Sequence, residues 1–455
     1  MLTQTLQASI AGTVVRRQDP EYETVRQALI WNARKPDRTP ELIVQVADVD
    51  DVIAAVKFAR VKGMKIVVRG SGHHWCAPVL RDDSMLLDLA RLNRVEIDPE
   101  ARVATVQPVV YSRDFARQLA EVGLAFPVGH CPSVPLSGFL LGGGLGWNAG
   151  AWGVSCFSLL SVEIVTAEGR LVTASDTENP DLFWAVRGGG PGFFGVVTQY
   201  RLRLYSLPKA ITTSKLTFPL EQLPAVVRWV AEIAPTLPSH VECTLLLANT
   251  PSPVAAQGEK VCILSATAFA DTEAEAAGAL SAFAHCPLAH CLRQDLQVST
   301  PFEVLFEGMD RLYPQGRRYA VDTLWSASSP EEVLTIAQRH FVSAPSRDSL
   351  ILASILPPPP PGALPLPDAA FSMVAPVFLA CYAIWEAADQ DSANTDWVRN
   401  LMTALEPLSV GHYLGEADII AHPSRLTHAF SRSHWERLRT LGRQYDPDGI
   451  FDHFG

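Results

Sequence analysis

The stretch Val67-Val68-Arg69-Gly70-Ser71-Gly72-His73-His74 decides the fold of this chain. Its β-branched start predicts a strand, and the small residues that follow predict a turn whose consecutive backbone N–H groups can wrap a pyrophosphate. The turn is not the GxGxxG of a Rossmann unit, because no helical pattern follows directly and no acidic residue stands at the expected distance. The histidine directly after the glycines makes this a candidate cofactor loop, formed by Arg69, Gly70, Ser71, Gly72, His73 and His74.

Short strands and helices alternate on both sides of this loop. Apolar and β-branched runs predict strands at 42–46, 65–68, 84–89, 95–98 and 103–107. Asp48 can cap a helix whose apolar positions recur at helical spacing up to Gly63, and a second helix is predicted at 112–122. Further strands are predicted at 162–166, 171–174 and 195–204, with Glu168-Gly169 as a hairpin turn. The pattern predicts an α+β domain over residues 1–205, with its core at 38–205.

The character of the sequence changes at about residue 206, where glycine clusters end. Long strands are predicted at 210–218, 241–247 and 260–269, with helices at 221–233, 272–284 and 329–341, and the apolar run around 373–385 is predicted to be a buried strand. This predicts a second α+β domain at 206–410 that is built on an antiparallel sheet and binds the substrate. The proline run 357–361 predicts a stiff polyproline II connector. A helix at 432–444 predicts that segment 411–455 packs back on the first domain.

The Arg-Gly-Ser-Gly-His run resembles the FAD-binding loop of the vanillyl-alcohol oxidase and p-cresol methylhydroxylase superfamily, and is most similar to its berberine-bridge-enzyme-like branch. The resemblance covers residues 38–205 and the last fifty residues, but little of the middle. Blocks in the same order as the family's are Gly129-His130-Cys131-Pro132-Ser133-Val134, Gly142-Gly143-Gly144-Leu145-Gly146, Phe194-Gly195-Val196-Val197-Thr198 and Tyr445-Asp446-Pro447-Asp448-Gly449. It implies a two-lobed PCMH-type FAD-binding fold whose antiparallel substrate sheet is covered by helices.

The same resemblance implies how the cofactor is held. His73 would bond through a ring nitrogen to the 8α-methyl group of FAD and Cys131 to C6, with His74 as a neighbour. The other implied cofactor residues are Val134, Gly138, Gly142, Gly143, Gly144, Gly146, Val197 and Tyr445. The sequence departs from the family at Phe139, where a histidine is common, and at Pro135-Leu136-Ser137-Gly138, where Gly-Val-Gly-Gly is common.

Two segments offer candidate catalytic bases. A strand is predicted at 316–325, whose alternation puts Tyr319, Val321 and Thr323 on one face and leaves Asp322 and Trp325 off it unless a bulge intervenes. His412-Tyr413-Leu414-Gly415-Glu416 falls where related carbohydrate oxidases carry Tyr-x-Asn-Tyr. Glu416 stands at the place of the catalytic tyrosine and could act as a base or be a solvated strand-end residue. The candidates are therefore Glu416, Tyr413, Tyr319 and Asp322.

These residues predict an FAD-linked oxidase that acts on an alcohol or amine of a small substrate resembling a secondary metabolite and releases hydrogen peroxide. By resemblance, the residue three positions after the bonded cysteine gates oxygen, and valine, which is Val134 here, admits it. Two alternatives stay open. One is a dehydrogenase of the same fold with another electron acceptor, and the other is an inert flavin-binding or ligand-binding protein, suggested by the replaced Tyr-x-Asn-Tyr residues.

The composition of the chain argues against some classes of binding partner and favours one cellular compartment. A formal net charge of −11 and the lack of a dense Lys/Arg cluster argue against nucleic acid. The N-terminus lacks the basic region of a signal peptide, and no apolar run predicts a membrane span. Eight scattered cysteines suggest a reducing cytoplasm. His285-Cys286 and His290-Cys291 resemble metal ligands, but no second Cys/His pair supports zinc, so no metal site is predicted.

Overall fold

The glycine-rich loop leaves the outer strand of a small mixed sheet. The computed structural model describes residues 6–250, 260–357 and 365–451. In spatial order, this four-stranded sheet consists of Thr13–Arg16, Leu42–Gln45, Ser84–Asp88 and Lys65–Arg69. Its last three strands are parallel and the first pairs antiparallel. Helix Val49–Lys62 begins at Asp48, whose side chain accepts the Asp51 N–H as predicted for a cap.

A second sheet completes the N-terminal half. It has five antiparallel strands, in the spatial order Val95–Asp98, Val103–Val106, Gly195–Arg203, Leu159–Thr166 and Leu171–Ser175. The last two form the hairpin predicted at Glu168-Gly169. A two-stranded ribbon joins Leu124–Ala125 to Tyr205–Ser206.

An eight-stranded antiparallel sheet carries the C-terminal half. Its strands, in spatial order, are Arg293–Ser299, Ala210–Pro219, Lys260–Ala270, Val241–Asn249, Leu350–Ile355, Val377–Trp385, Arg318–Ser326 and Ser409–Gly411. The eight-stranded sheet confirms the predicted antiparallel sheet. With the mixed sheet and the helices, it also confirms the α+β class. Of the predicted proline connector at 357–361, only Pro357 belongs to the described residues.

One face of the eight-stranded sheet is covered by the helices Leu223–Ile233, Pro330–Val342 and Asp391–Leu405. The helices of at least eight residues are Val49–Lys62, Ser112–Glu121, Leu223–Ile233, Phe302–Leu312, Pro330–Val342, Asp391–Leu405 and Arg432–Tyr445. The shorter ones are Tyr22–Ala28, Leu136–Leu141, Ala149–Trp152, Pro180–Val186, Glu273–Ala279, Ser281–Ala284 and Ser424–His428. The predicted helix at 272–284 is thus two helices. Within the described ranges, no helix is long and apolar enough to cross a membrane.

The two faces of the large sheet belong to different hydrophobic cores. On one face, Leu324 and Leu379 pack with the helices Leu223–Ile233 and Asp391–Leu405. On the other face, Tyr319 and Tyr382 pack in the same core as Trp75, which follows the glycine-rich loop. The aromatic face of the sheet is therefore turned towards the predicted cofactor loop, because side chains alternate along a strand.

Candidate active site

A cavity of about 1430 Å³ lies between the glycine-rich loop and the eight-stranded sheet. Single drug-sized ligands occupy pockets of about 300–1000 Å³, so this cavity has room for a cofactor together with a substrate. The predicted residues that line it are Gly70, Ser71, Gly72, His73, His74, Cys131, Val134, Gly138, Gly142, Gly146, Val197, Tyr413 and Glu416. The structure therefore brings both predicted groups, cofactor-binding and catalytic, to one cavity.

The glycines of the loop are required by close packing. Gly72 has φ +67, and a Cβ there would lie 1.9 Å from the Leu29 carbonyl oxygen. A Cβ on Gly70 would lie 2.0 Å from Ser137 Oγ. Arg69, predicted as a cofactor residue, instead holds the loop from behind, because its buried guanidinium pairs with Asp88 at 2.7 Å.

His73 is held by two neighbours. Its Nε2 lies 3.0 Å from Ser133 Oγ, and its ring stacks on Trp31 with centroids 4.4 Å apart. Burial lowers the pKa of His73 to about 4, so the imidazole is neutral at neutral pH. His74 Nε2 lies 3.0 Å from the Leu414 carbonyl oxygen, on the C-terminal segment.

Cys131 and Val134 line the cavity on a neighbouring turn. The Val134 N–H donates to the Cys131 carbonyl at 3.2 Å, so the two side chains share one tight loop. Cys131 is a free thiol, and burial raises its pKa far above the ordinary value. The loop that carries the predicted attachment point therefore also carries the predicted oxygen-gating residue.

Glu416 faces the cavity from the C-terminal segment. The Tyr382 hydroxyl donates to Glu416 Oε2 at 2.9 Å. Burial raises the pKa of Glu416, although the Tyr382 hydrogen bond opposes that shift. Tyr382 contacts Trp75 edge-on at 5.9 Å, and Trp75 contacts His73 at 5.5 Å. Two aromatic rings thus connect the predicted base to the predicted attachment point.

Two predicted catalytic residues, Tyr319 and Asp322, do not line the cavity. Tyr319 is fully buried and its hydroxyl donates to the Pro314 carbonyl at 2.6 Å, away from the cavity. Asp322 lies on the opposite face of its strand and pairs with Arg425 at 2.8 Å. Both groups are already committed to structural partners, so neither can take a proton from a ligand in the cavity.

The strand Arg318–Ser326 also corrects the face assigned to Trp325. Its pairing with Val377–Trp385 runs without a bulge, so residues of odd number share one face. Trp325 therefore lines the cavity. Tyr413, by contrast, lines it as predicted, and its hydroxyl accepts the Leu145 N–H at 3.3 Å.

Besides Arg69, three predicted cofactor residues lie outside the cavity wall. Gly143 packs against the Phe371 ring, and Gly144 packs against Ser155. Tyr445 stacks on Phe194 with centroids 5.9 Å apart. These residues support the loops around the cavity and do not line it.

Asn32 connects the segment after the glycine-rich loop to the eight-stranded sheet and was not predicted. Its amide nitrogen donates to the carbonyls of Trp75 at 2.9 Å and Tyr319 at 3.0 Å. Its oxygen accepts the N–H groups of Tyr319 at 3.0 Å and Arg34 at 2.9 Å. This buried side chain fixes the distance between the two walls of the site.

We expect Asn32→Ala to lower the free energy of unfolding by about 1–3 kcal/mol, because it leaves buried backbone groups without partners. Thermal unfolding of the two proteins measures the difference. Asn93→Ala, at an exposed asparagine, is the matched control. Equal stability of the two variants would contradict the role of Asn32.

A polar pair in the cavity, His130 and Glu242, was also not predicted. His130 Nε2 lies 2.7 Å from Glu242 Oε1, and both residues line the cavity. Their contact joins loop 129–134 to a strand of the large sheet more than a hundred positions away, so local sequence gave no signal for it. From the sequence, Tyr382 was recognised only as a residue of a predicted strand, and its contact with Glu416 was not predicted.

Known proteins resemble this chain over nearly its whole length. The FAD binding domain family matches residues 40–175. The FAD-linked oxidoreductase janO of Penicillium janthinellum is 30% identical over 434 residues, which are 94% of this chain and 93% of that protein.

Solved structures share the fold at low sequence identity. Berberine bridge enzyme from Eschscholzia californica superposes with a TM-score of 0.82 at 18% identity, covering 100% of this chain and 98% of that one. A variant of Phl p 4, a grass pollen allergen, superposes with a TM-score of 0.83 at 21% identity, covering 99% and 97%.

Proposed function

Because the chain belongs to the berberine-bridge-enzyme-like, PCMH-type family of FAD-linked oxidoreductases, we propose that it is an oxidase for an alcohol or amine of a small substrate. The observation that carries this proposal is the position of Glu416. Glu416 lines the same cavity as His73 and Cys131. The rings of Tyr382 and Trp75 lie between Glu416 and His73.

The cavity fits FAD. Buried polar atoms at its wall have no hydrogen-bond partner among the described residues, namely Trp147 Nε1, Asn148 Oδ1 and Trp325 Nε1. A Cβ on Gly138 would meet nothing within 4 Å, so backbone there is open to a close approach from the cavity. Such orphaned groups and bare backbone are what a large polar cofactor would engage.

We propose that FAD is attached at two points, through a ring nitrogen of His73 to the 8α-methyl group and through Cys131 to C6. The neutral imidazole has a lone pair available, because burial lowers the pKa of His73. Trp31 and Ser133 fix the direction of the ring. Two bonds from separate loops would hold the cofactor rigidly at the wall of a wide cavity.

Glu416 is the proposed base. Bound FAD would supply the redox chemistry, which is acceptance of a hydride from the substrate carbon and reduction of dioxygen to hydrogen peroxide. Glu416 takes the proton from the adjoining O–H or N–H of the substrate. Its buried carboxylate has a raised pKa, which makes it a stronger proton acceptor than an exposed glutamate. The Tyr382 hydroxyl orients the carboxylate.

Dioxygen is the proposed electron acceptor. Val134 is half-buried on the loop of Cys131 and lines the cavity, so it is placed to control access to the bonded ring. Wild-type Phl p 4 is a glucose dehydrogenase, and its isoleucine-to-valine variant is a glucose oxidase. This favours oxygen as the acceptor for a chain that carries valine.

Val134→Ile is expected to slow reoxidation of the reduced flavin by dioxygen by about 10- to 200-fold, the discrimination that one methylene supplies in a pocket. Stopped-flow mixing of photoreduced protein with aerated buffer measures the rate. Val122→Ile, at an exposed valine, is the control. An unchanged rate in Val134→Ile would argue against gating by this side chain.

The proposed activity is tested by two measurements on the flavin-loaded wild type. Alcohols, amines and sugars are screened for bleaching of the flavin without air, followed by peroxide release in air. Rapid reoxidation with peroxide release supports the oxidase. Bleaching with sluggish reoxidation would identify a dehydrogenase, and a flavin that no compound bleaches would favour an inert binding protein.

A further inference from the structure

The His130–Glu242 pair crosses the cavity between its two walls. His130 directly precedes Cys131, whereas Glu242 lies on strand Val241–Asn249 of the large sheet. One carboxylate oxygen of Glu242 contacts His130 Nε2 at 2.7 Å, and the other accepts the Asn148 N–H at 3.3 Å. Both carboxylate oxygens are therefore directed at the wall that carries Cys131.

The imidazole is enclosed by groups that favour its charged form. Its ring lies 4.1 Å from the Trp147 ring. The titratable groups that face it are Glu242 and, further away, Glu416, and the Leu145 carbonyl adds a hydrogen bond. Burial lowers the pKa of His130, but Glu242, Glu416 and the Leu145 carbonyl together more than offset this, so the net shift is upward. The pair is a dipole whose positive end is on the loop of Cys131.

We propose that the His130–Glu242 pair holds a positive charge beside the flavin edge bonded to Cys131, and that this charge accelerates electron transfer to dioxygen. The inference rests on the proposed oxidase function and on attachment through Cys131. It assigns His130 a direct electrostatic role and Glu242 a positioning role, since Glu242 acts through the imidazole.

The physical reason is the charge that develops during reoxidation. Dioxygen takes two electrons and one proton from the reduced cofactor and one proton from solvent, giving hydrogen peroxide and oxidised FAD. Negative charge grows on oxygen before both protons arrive. A cation fixed in the cavity wall stabilises that charge, because it is already in place when the charge develops and needs no reorganisation of solvent.

The test needs no substrate. Flavin-loaded wild type, His130→Gln, Glu242→Gln and the control Glu232→Gln, at an exposed glutamate, are photoreduced and mixed with aerated buffer over a range of pH. Intact mass confirms that each carries FAD. Dye equilibration gives the reduction potential of each flavin, a property that a merely structural role would not change.

We expect reoxidation at neutral pH to slow about 10²-fold in both cavity variants, the lower end of the effect of removing one preorganised hydrogen-bond donor. In Glu242→Gln the rate should fall with rising pH at a lower pH than in wild type, because the imidazolium loses its carboxylate. The flavin potential should fall in both variants and stay unchanged in Glu232→Gln.

Wild-type rates and potentials in both cavity variants would overturn this inference and leave the oxidase intact. Slow reoxidation in His130→Gln together with a wild-type reoxidation rate in Glu242→Gln would overturn the role of the pair. Sluggish reoxidation of the wild type itself would overturn the oxidase proposal and this inference together, and that result appears before any substitution is compared.

Discussion

Alanine at both His73 and Cys131 is expected to release all of the flavin when the protein is precipitated with acid, whereas the wild type keeps its yellow colour in the pellet. Each single variant should retain one bond and therefore an FAD-sized increase in intact mass. The reason is that the two side chains line one cavity on separate loops. Mass spectrometry of the precipitated proteins measures the attached fraction.

The single variants should differ in their dependence on pH. Burial raises the pKa of Cys131, so few of its thiols are ionised at neutral pH, and the thiolate is the nucleophile. Attachment in His73→Ala should therefore become more complete as pH rises. The neutral His73 imidazole needs no such ionisation, so attachment in Cys131→Ala should vary little above pH 5.

Cys76→Ala is the control for these variants. Cys76 is a free cysteine near the same loop, and its thiol lies 3.4 Å from His74 Nδ1. It should keep both bonds to FAD. Colour released from the wild type would instead mean a dissociable flavin and would contradict covalent attachment.

Glu416→Gln is expected to slow substrate-driven reduction of the flavin by about 10²- to 10⁴-fold, the contribution of one general base. The amide keeps the hydrogen bond to Tyr382 but cannot take a proton. Anaerobic stopped-flow reduction measures the effect with any substrate found in the screen, and reoxidation by dioxygen should change far less. Glu406→Gln, at an exposed glutamate, is the control.

The pH profile gives an independent check on the same residue. The base must be ionised, so reduction should weaken as pH falls through the pKa of Glu416, which burial raises above that of an exposed glutamate. This acid limb should be absent in Glu416→Gln. Equal reduction rates in variant and wild type would remove Glu416 from the mechanism.

The cofactor wall could be predicted because its signals are local. The strand, the glycines and His73 follow one another in eight residues, and a Cβ at Gly70 or Gly72 has no room. Glu416 was predicted from resemblance at one short segment. These features depend on neighbours in sequence, which a single chain reveals.

Asp322 and Tyr319 were misjudged because residue type and strand alternation do not show which partner a side chain contacts. Asp322 is a candidate base from its residue type, but Arg425 neutralises it from a segment about a hundred residues away. Tyr319 is removed from the site by a hydrogen bond to Pro314 beneath it. Trp325 was misplaced although strand alternation alone assigns it to the cavity face.

The bulge-free pairing of Arg318–Ser326 with Val377–Trp385 makes the pocket open to redesign. Val321 lies directly opposite Tyr382, and Trp325 lies opposite Phe378, all on the cavity face. The reverse face packs on helices and carries different residues. A combinatorial library at Trp325 and Phe378 would therefore vary the shape of the pocket while the residues of the reverse face stay unchanged.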